Sequence, residues 1–244
     1  MRRALPIAGL PRALEGKTLV QLSDLHVGPI VGDDYMLGVF GDVARLAPDI
    51  VVVTGDWTTD HPGIMAQAER VYASLPRGRL ATLGILGNHD YGHGWLDQRH
   101  GGNIAAIARH AGCTVLRNEL TEVAGLQVVG MDDLWASAFR PEMALRALDA
   151  SRPMLALSHN PDTVDLPGWD GFRGWILAGH THGGQVKPPF LAPPIIPVRN
   201  RRYTSGAFAL DRERSMYISR GVGFTLQVRF NARPEVTLFT LERA

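Results

Sequence analysis

The stretch IVVVTGD (residues 50–56) sets a continuous apolar run, with three valines, directly against a glycine and an aspartate. A run without polar alternation is the pattern of a strand covered on both faces, as in a parallel sheet packed between other layers. Open α/β sheets bind their ligands beyond the carboxyl ends of such strands. Asp56 is therefore read as a functional side chain at a strand end, with Gly55 allowing a sharp turn in front of it.

The same arrangement recurs along the chain. KTLVQLS (17–23) runs into Asp24-Leu25-His26, and LGIL (83–86) into Gly87-Asn88-His89-Asp90. MLAL (154–157) runs into Ser158-His159-Asn160, and WILA (175–178) into Gly179-His180-Thr181-His182. Each segment delivers Asp, Asn or His at its end. Taken singly these are weak signals: Asp-x-His is ordinarily a turn or a cap, and Gly-Asp a turn. Five of them, in order and each behind an apolar run, point to one shared site. In an extended chain residues i and i+2 point the same way, so Asp24 with His26, and His180 with His182, are expected as matched pairs.

Between these strands the apolar spacing turns helical. Met36, Val39, Phe40, Val43 and Leu46 predict a helix over 33–47, stopped by Pro48. Further helices are expected over 64–75, 104–111 and 141–150, and further strands over 80–86 and 126–131. Beyond residue 185 the pattern changes. Residues 186–198 hold five prolines and read as irregular, and short strands are expected over 203–210, 216–219 and 236–241. Alternating β and α followed by a β-rich tail predicts an α/β fold of two packed mixed β-sheets flanked by helices, a four-layer α/β/β/α sandwich. Residues 1–16 are read as an extended N-terminal arm and 17–244 as a single domain.

Composition narrows the chemistry. A charged fraction of 20% and a net charge of +1 give no basis for nucleic-acid binding through bulk charge. One cysteine, Cys113, excludes an internal disulfide and a thiolate cage. A metal site here must use oxygen and imidazole, which suits Mn, Fe or Zn. Asp24, His26, Asp56, Asn88, His159, His180 and His182 are too many for one tetrahedral ion. Two ions sharing one carboxylate would use them all, with Asp56 as the bridge.

In that order, DLH, GD, GNHD, a lone later His and GHTH resemble the calcineurin-like metallophosphoesterase superfamily over residues 17–241. SHNPD (158–162), GHTHGGQ (179–185) and SRGVG (219–223) are similar to a bacterial, often membrane-associated phosphodiesterase branch. The resemblance implies one metal on Asp24, His26, Asp56 and His182 and a second on Asp56, Asn88, His159 and His180. It implies His89 as the catalytic histidine and Asp90 as the residue that orients it. The implied reaction is two-metal phosphoester hydrolysis, with a bridging hydroxide attacking phosphorus. One departure bears on substrate: the protein phosphatases of the superfamily carry GDxxDRG, whereas here GDWTTDHPG (55–63) has no arginine. That favours phosphodiesters, or alternatively the pyrophosphate of a lipid-linked or acylated sugar nucleotide. A non-catalytic, metal-stabilised scaffold is the competing class, and the completeness of the residue set argues against it.

The remaining residues carry less. His61, His93, His100 and His110 read as loop or helix histidines, and Asp132 and Asp133 as a turn or helix start. The proline-rich segment, with Lys187, Arg199, Arg201 and Arg202 nearby, reads equally as a rigid loop or as a contact for lipid headgroups. The N-terminal apolar patch is broken by Pro6 and Pro11, and no run reaches the roughly 20 residues of a spanning helix. The expected location is cytoplasmic or peripheral to the inner membrane.

Overall fold

A computed structural model describes residues 1–244. Two six-stranded sheets lie face to face. The first has the order β1 (Arg2–Ile7), β12 (Thr237–Arg243), β2 (Thr18–Leu22), β3 (Ile50–Thr54), β4 (Ala81–Ile85), β5 (Thr114–Val115). The second has the order β10 (Gly206–Ala209), β11 (Arg214–Ile218), β9 (Gly174–Ala178), β8 (Met154–Leu157), β7 (Leu126–Gly130), β6 (Glu119–Val123). Parallel and antiparallel pairs occur in both sheets.

Alternation along β3 explains its unbroken apolar run. Val51 and Val53 face the helices α1 (Asp33–Arg45), α2 (Ile64–Tyr72) and α3 (Gln98–His110), among Phe40, Val43, Val71 and Ile104. Ile50 and Val52 face the second sheet, among Leu126, Leu155, Leu157 and Leu177. The outer face of the second sheet is closed by α4 (Pro141–Leu145) and by loops carrying Trp169, Phe172 and Tyr203. The layers are therefore helices, sheet, sheet and a thinner cover. Buried Gln21 ties the sheets together just below their carboxyl ends: its Nε2 donates to Thr54 Oγ1 at 3.0 Å and to the Ala178 carbonyl at 2.9 Å.

Three local readings need correction. The N-terminal arm is not free: β1 is the outer strand of the first sheet, parallel to β12, and Pro6 is tolerated because an edge strand has a side that needs no donor. The third helix begins at Gln98, before its apolar periodicity, because the Asp97 side chain caps the amides of Arg99 and His100. Strand β6 departs from the expected elements; only Val123 of its five residues is buried and its apolar residues are few, so it carries no continuous apolar signal.

Leu157 is fully buried between the sheets. Leu157→Ala is expected to cost about 2–5 kcal/mol in chemical denaturation, the range for truncating a packed core leucine. A loss below about 1 kcal/mol would contradict the placement of the inter-sheet core.

Candidate metal centre

The carboxyl ends of β2, β3 and β4 in one sheet and of β8 and β9 in the other meet at one place. The side chains there form three overlapping groups: Asp24, His26 and His182; His26, Asp56 and His89; and Asp56, His159 and His180. His182 thus falls with Asp24 and His26, while His180 falls with His159, on opposite sides of Asp56. All seven residues expected as ligands are buried.

The way the chain presents these groups differs from the extended pairing expected from spacing. Asp24, His26, Asp56, His180 and His182 all take left-handed backbone, with φ of 51°, 51°, 53°, 71° and 51°. That region is uncommon for residues with a Cβ and costs on the order of 1 kcal/mol or more each. The strand ends turn sharply instead of continuing, and each turn rolls its side chain into the junction. Gly87 and Gly179 make room for this. A Cβ on Gly87 would lie 2.7 Å from His159 Nε2, and one on Gly179 would lie 2.6 Å from Asp24 Oδ2.

Asp56 is central. Its Oδ2 lies 3.1 Å from His159 Nε2 and 3.5 Å from His26 Nε2, and its Oδ1 accepts the His89 amide at 2.9 Å. His26 and His182 bring their Nε2 atoms within 3.0 Å of each other, and His182 Nε2 is 3.5 Å from Asp24 Oδ1. The far nitrogens have separate partners. Nδ1 of His26 meets Thr59 Oγ1 at 3.0 Å, Nδ1 of His159 meets the Thr54 carbonyl at 2.7 Å, and Nε2 of His180 meets the Pro197 carbonyl at 2.8 Å. A histidine that donates one N–H to such a partner turns the other nitrogen, as a lone pair, toward a metal.

The electrostatics centre on Asp56. Burial alone would raise Asp56, yet the nearby His159, His89 and His26 hold its carboxyl well below the ordinary range. Burial would lower His159, but Asp56 pushes it up to about 10. His180 is driven down to about 3 by burial and by His159. Buried atoms also lack any hydrogen-bond partner, namely Asp24 Oδ2 and both amide atoms of Asn88. Unsatisfied buried polar atoms cost about 1–3 kcal/mol each unless something meets them. Orphaned oxygen and nitrogen atoms converging on two carboxylates fit hard or borderline divalent ions.

One expected contact is absent. Asp90 does not bond His89. It accepts the amides of Thr58 at 3.0 Å and Gly87 at 2.9 Å, and burial followed by the Asp56 charge raises it to about 8. Neighbours on a single helical turn diverge, so Asp90 turns inward to pin the loops while His89 stays half-buried at the cavity. Asp132 and Asp133 do occupy a turn, as expected; Asp133 Oδ1 accepts the Ala136 amide at 2.8 Å, and Asp132 pairs with Arg117 at 2.8 Å. His93 is exposed in an adjoining cavity.

Other contributors left no sequence signal. Arg229 lies 3.0 Å from His182 Nδ1 and also donates to the carbonyls of Arg220, Gly223 and Ala232, stapling the C-terminal segment under the site. The SRGVG segment earns its glycines by packing on the Asp24 turn, where Val222 and Gly223 donate to the carbonyls of Ser23 and Asp24. The site opens into a cavity of about 440 Å³ lined by Asp56, Asn88, His89, His180, His182 and an apolar wall.

The profile of the calcineurin-like phosphoesterases matches residues 17–184. The chain is 34% identical to the phosphodiesterase YaeI of Escherichia coli, over 90% of this chain and 80% of that protein. It is 25% identical to the UDP-2,3-diacylglucosamine pyrophosphatase LpxG of Chlamydia trachomatis, over 92% of this chain and 83% of that protein. Among solved structures, a 5'-nucleotidase precursor from Thermus thermophilus shares the fold with a TM-score of 0.51, at 16% identity, over 92% of this chain and 54% of that one.

Gly179→Ala is expected to push a methyl group against Asp24 and to weaken Mn²⁺ or Zn²⁺ binding by about 10–100-fold, as losses just outside a ligand set do. Equilibrium dialysis of the full chain measures this, and an unchanged affinity would show that Asp24 does not face the ion.

Proposed function

Because this chain belongs to the calcineurin-like phosphoesterase family, we propose that it is a two-metal phosphoric ester hydrolase acting on phosphodiesters. The observation that carries the reading is the set of buried, partnerless ligand atoms around Asp56, opening on a cavity large enough for an ester substrate. Asp24, His26, Asp56 and His182 would hold one ion, and Asp56, Asn88, His159 and His180 the other. Ions so bound supply charge neutralisation for phosphoryl oxygens and an activated water.

The chain's own groups do the rest. The Thr59 hydroxyl and the carbonyls of Thr54 and Pro197 fix which nitrogen of His26, His159 and His180 faces inward. His89 lines the cavity, held through its amide to Asp56, and its ring makes no hydrogen bond within the protein. That leaves the imidazole free to protonate a leaving alkoxide or to bind a phosphoryl oxygen. Asp90 acts on it at one remove, by fixing the Gly87 and Thr58 amides that shape its turn.

A second reading, hydrolysis of a pyrophosphate in a lipid-linked substrate, draws support from the cavity mouth. Phe190, Leu191, Ile195 and Leu226 are exposed there, on segments whose neighbours Pro194 and Val186 line the cavity. The relative named as a pyrophosphatase of a diacylated sugar nucleotide agrees with it. No helix of the chain is long and apolar enough to cross a membrane. Sedimentation with anionic liposomes, together with a panel of diesters, monoesters and lipid pyrophosphates, separates the two readings.

His89→Ala is expected to retain metal and lose about 10²–10⁴-fold in turnover, the span of a general acid. An unchanged rate would remove His89 from the chemistry. Asp56→Ala is expected to abolish stable occupancy by two metals, and elemental analysis finding two ions per chain would refute the bridge.

A further inference from the structure

The five tryptophans divide into two kinds. Trp57, Trp169 and Trp175 each donate their indole N–H to a backbone carbonyl, at 2.8, 2.8 and 2.9 Å. These are framework residues, with their polar atom satisfied as packed tryptophans require. Trp95 and Trp135 make no hydrogen bond through Nε1, are only half-buried, and both line the reaction cavity.

Their rings stack on each other, with centroids 4.9 Å apart and planes at 26°. Trp95 also meets the His89 ring at 5.7 Å, and Trp135 meets the His180 ring edge-on at 4.4 Å. The pair therefore spans one wall of the cavity, from the proposed leaving-group histidine to the ligand cluster on the far side of Asp56. Each is held firmly. Trp95 sits at φ 63° between the turn at Gly92 and the cap of α3. A bulky side chain there is strained backbone, which marks functional positions. Trp135 sits in the turn closed by Asp133 onto the Ala136 amide. Two rigid, apolar, π-rich surfaces stand next to the place where phosphorus must lie, with no core of their own to fill.

We infer that Trp95 and Trp135 form a stacking subsite for a planar aromatic ring, such as a nucleobase, carried on one ester arm of the substrate. The inference rests on the phosphodiesterase reading above and names the class of ester group that reading leaves open. An indole face accepts any base by stacking, at about 1–3 kcal/mol per base, so it selects ring-bearing esters without selecting one base. At 1.4 kcal/mol per tenfold, that is about 5–150-fold in affinity.

Two measurements on the full chain test it. In the first, the metal-loaded protein hydrolyses adenosine 5′-(methyl phosphate) and the ringless diester glycerol 3-phosphoethanolamine, followed by chromatography. The expected result is a kcat/KM about tenfold or more higher for the nucleoside ester. Trp135→Leu should erase the difference by raising KM for that ester alone, and Trp135→Phe should restore much of it. Equal losses on both esters, or no change on the nucleoside ester, overturn the inference. In the second, tryptophan fluorescence is titrated with adenosine 5′-monophosphate and with ribose 5-phosphate. Quenching should be at least fivefold tighter for the nucleotide in the wild type and equal for both in Trp135→Leu. Equal binding in the wild type overturns the inference. If neither diester is hydrolysed, the phosphodiesterase reading fails by itself, and the titration still decides the subsite.

Discussion

The buried Asp56 carboxylate is the interaction on which the rest of the structure depends. It is at once the end of β3, the acceptor for the His89 amide, and the near neighbour of His26 and His159 from two other strands. A carboxylate with no access to water is costly unless charge or hydrogen bonds meet it. Here they come from both sheets, so the sheets have to be packed at one fixed offset. Gln21, bridging Thr54 and Ala178 directly beneath, is the device that sets it. A slip of one residue in β3 would send Asp56 toward the helices and leave His159 facing nothing.

That requirement explains features that look unrelated in the sequence. Glycines precede the ligand residues because a neighbouring imidazole or carboxylate occupies the place of a side chain. The proline-rich segment contributes a carbonyl to His180, so a stretch without regular structure still has a defined position over the site. The C-terminal segment is bound through Arg229, which donates to the carbonyls of His182, Arg220 and Ala232 and so closes the last part of the chain onto the second sheet's contribution.

Much of this was legible because each ligand residue ends an independent apolar run. The bounds of β3 and β8 follow the runs IVVVT and MLAL directly, since both strands are covered on both faces. Where a strand is mostly exposed, as in β6, or where a cap starts a polar first turn, as at Asp97, periodicity is silent. That these side chains converge on one place is legible in the sequence, but their presentation is not. Spacing at i and i+2 describes an extended chain, whereas these residues turn at positive φ, and φ leaves no mark on residues other than glycine. The resemblance implies that Asp90 orients His89, yet a single helical turn separates the directions of these two neighbours. Arg229, Trp95 and Trp135 belong to no periodic pattern; Trp95 follows His89 in the same loop, and Arg229 and Trp135 come near the site through tertiary packing.

The same geometry sets a tension between folding and function. Five of the residues proposed as ligands stand in left-handed backbone, and these, together with the partnerless atoms on Asp24 and Asn88, each act against the stability of the fold. The two apolar cores on either side of β3 supply the opposing term, because between them they cover that strand on both faces. A site of this kind can only be built where a large core already fixes the backbone. That is why the proposed ligand atoms lie at the ends of central strands, and the elements without regular structure, the tryptophan loops and the proline-rich segment, lie outside them. Rigid strand ends hold the phosphoryl-directed groups in place, and the loops around them are free to decide what the phosphoryl group carries.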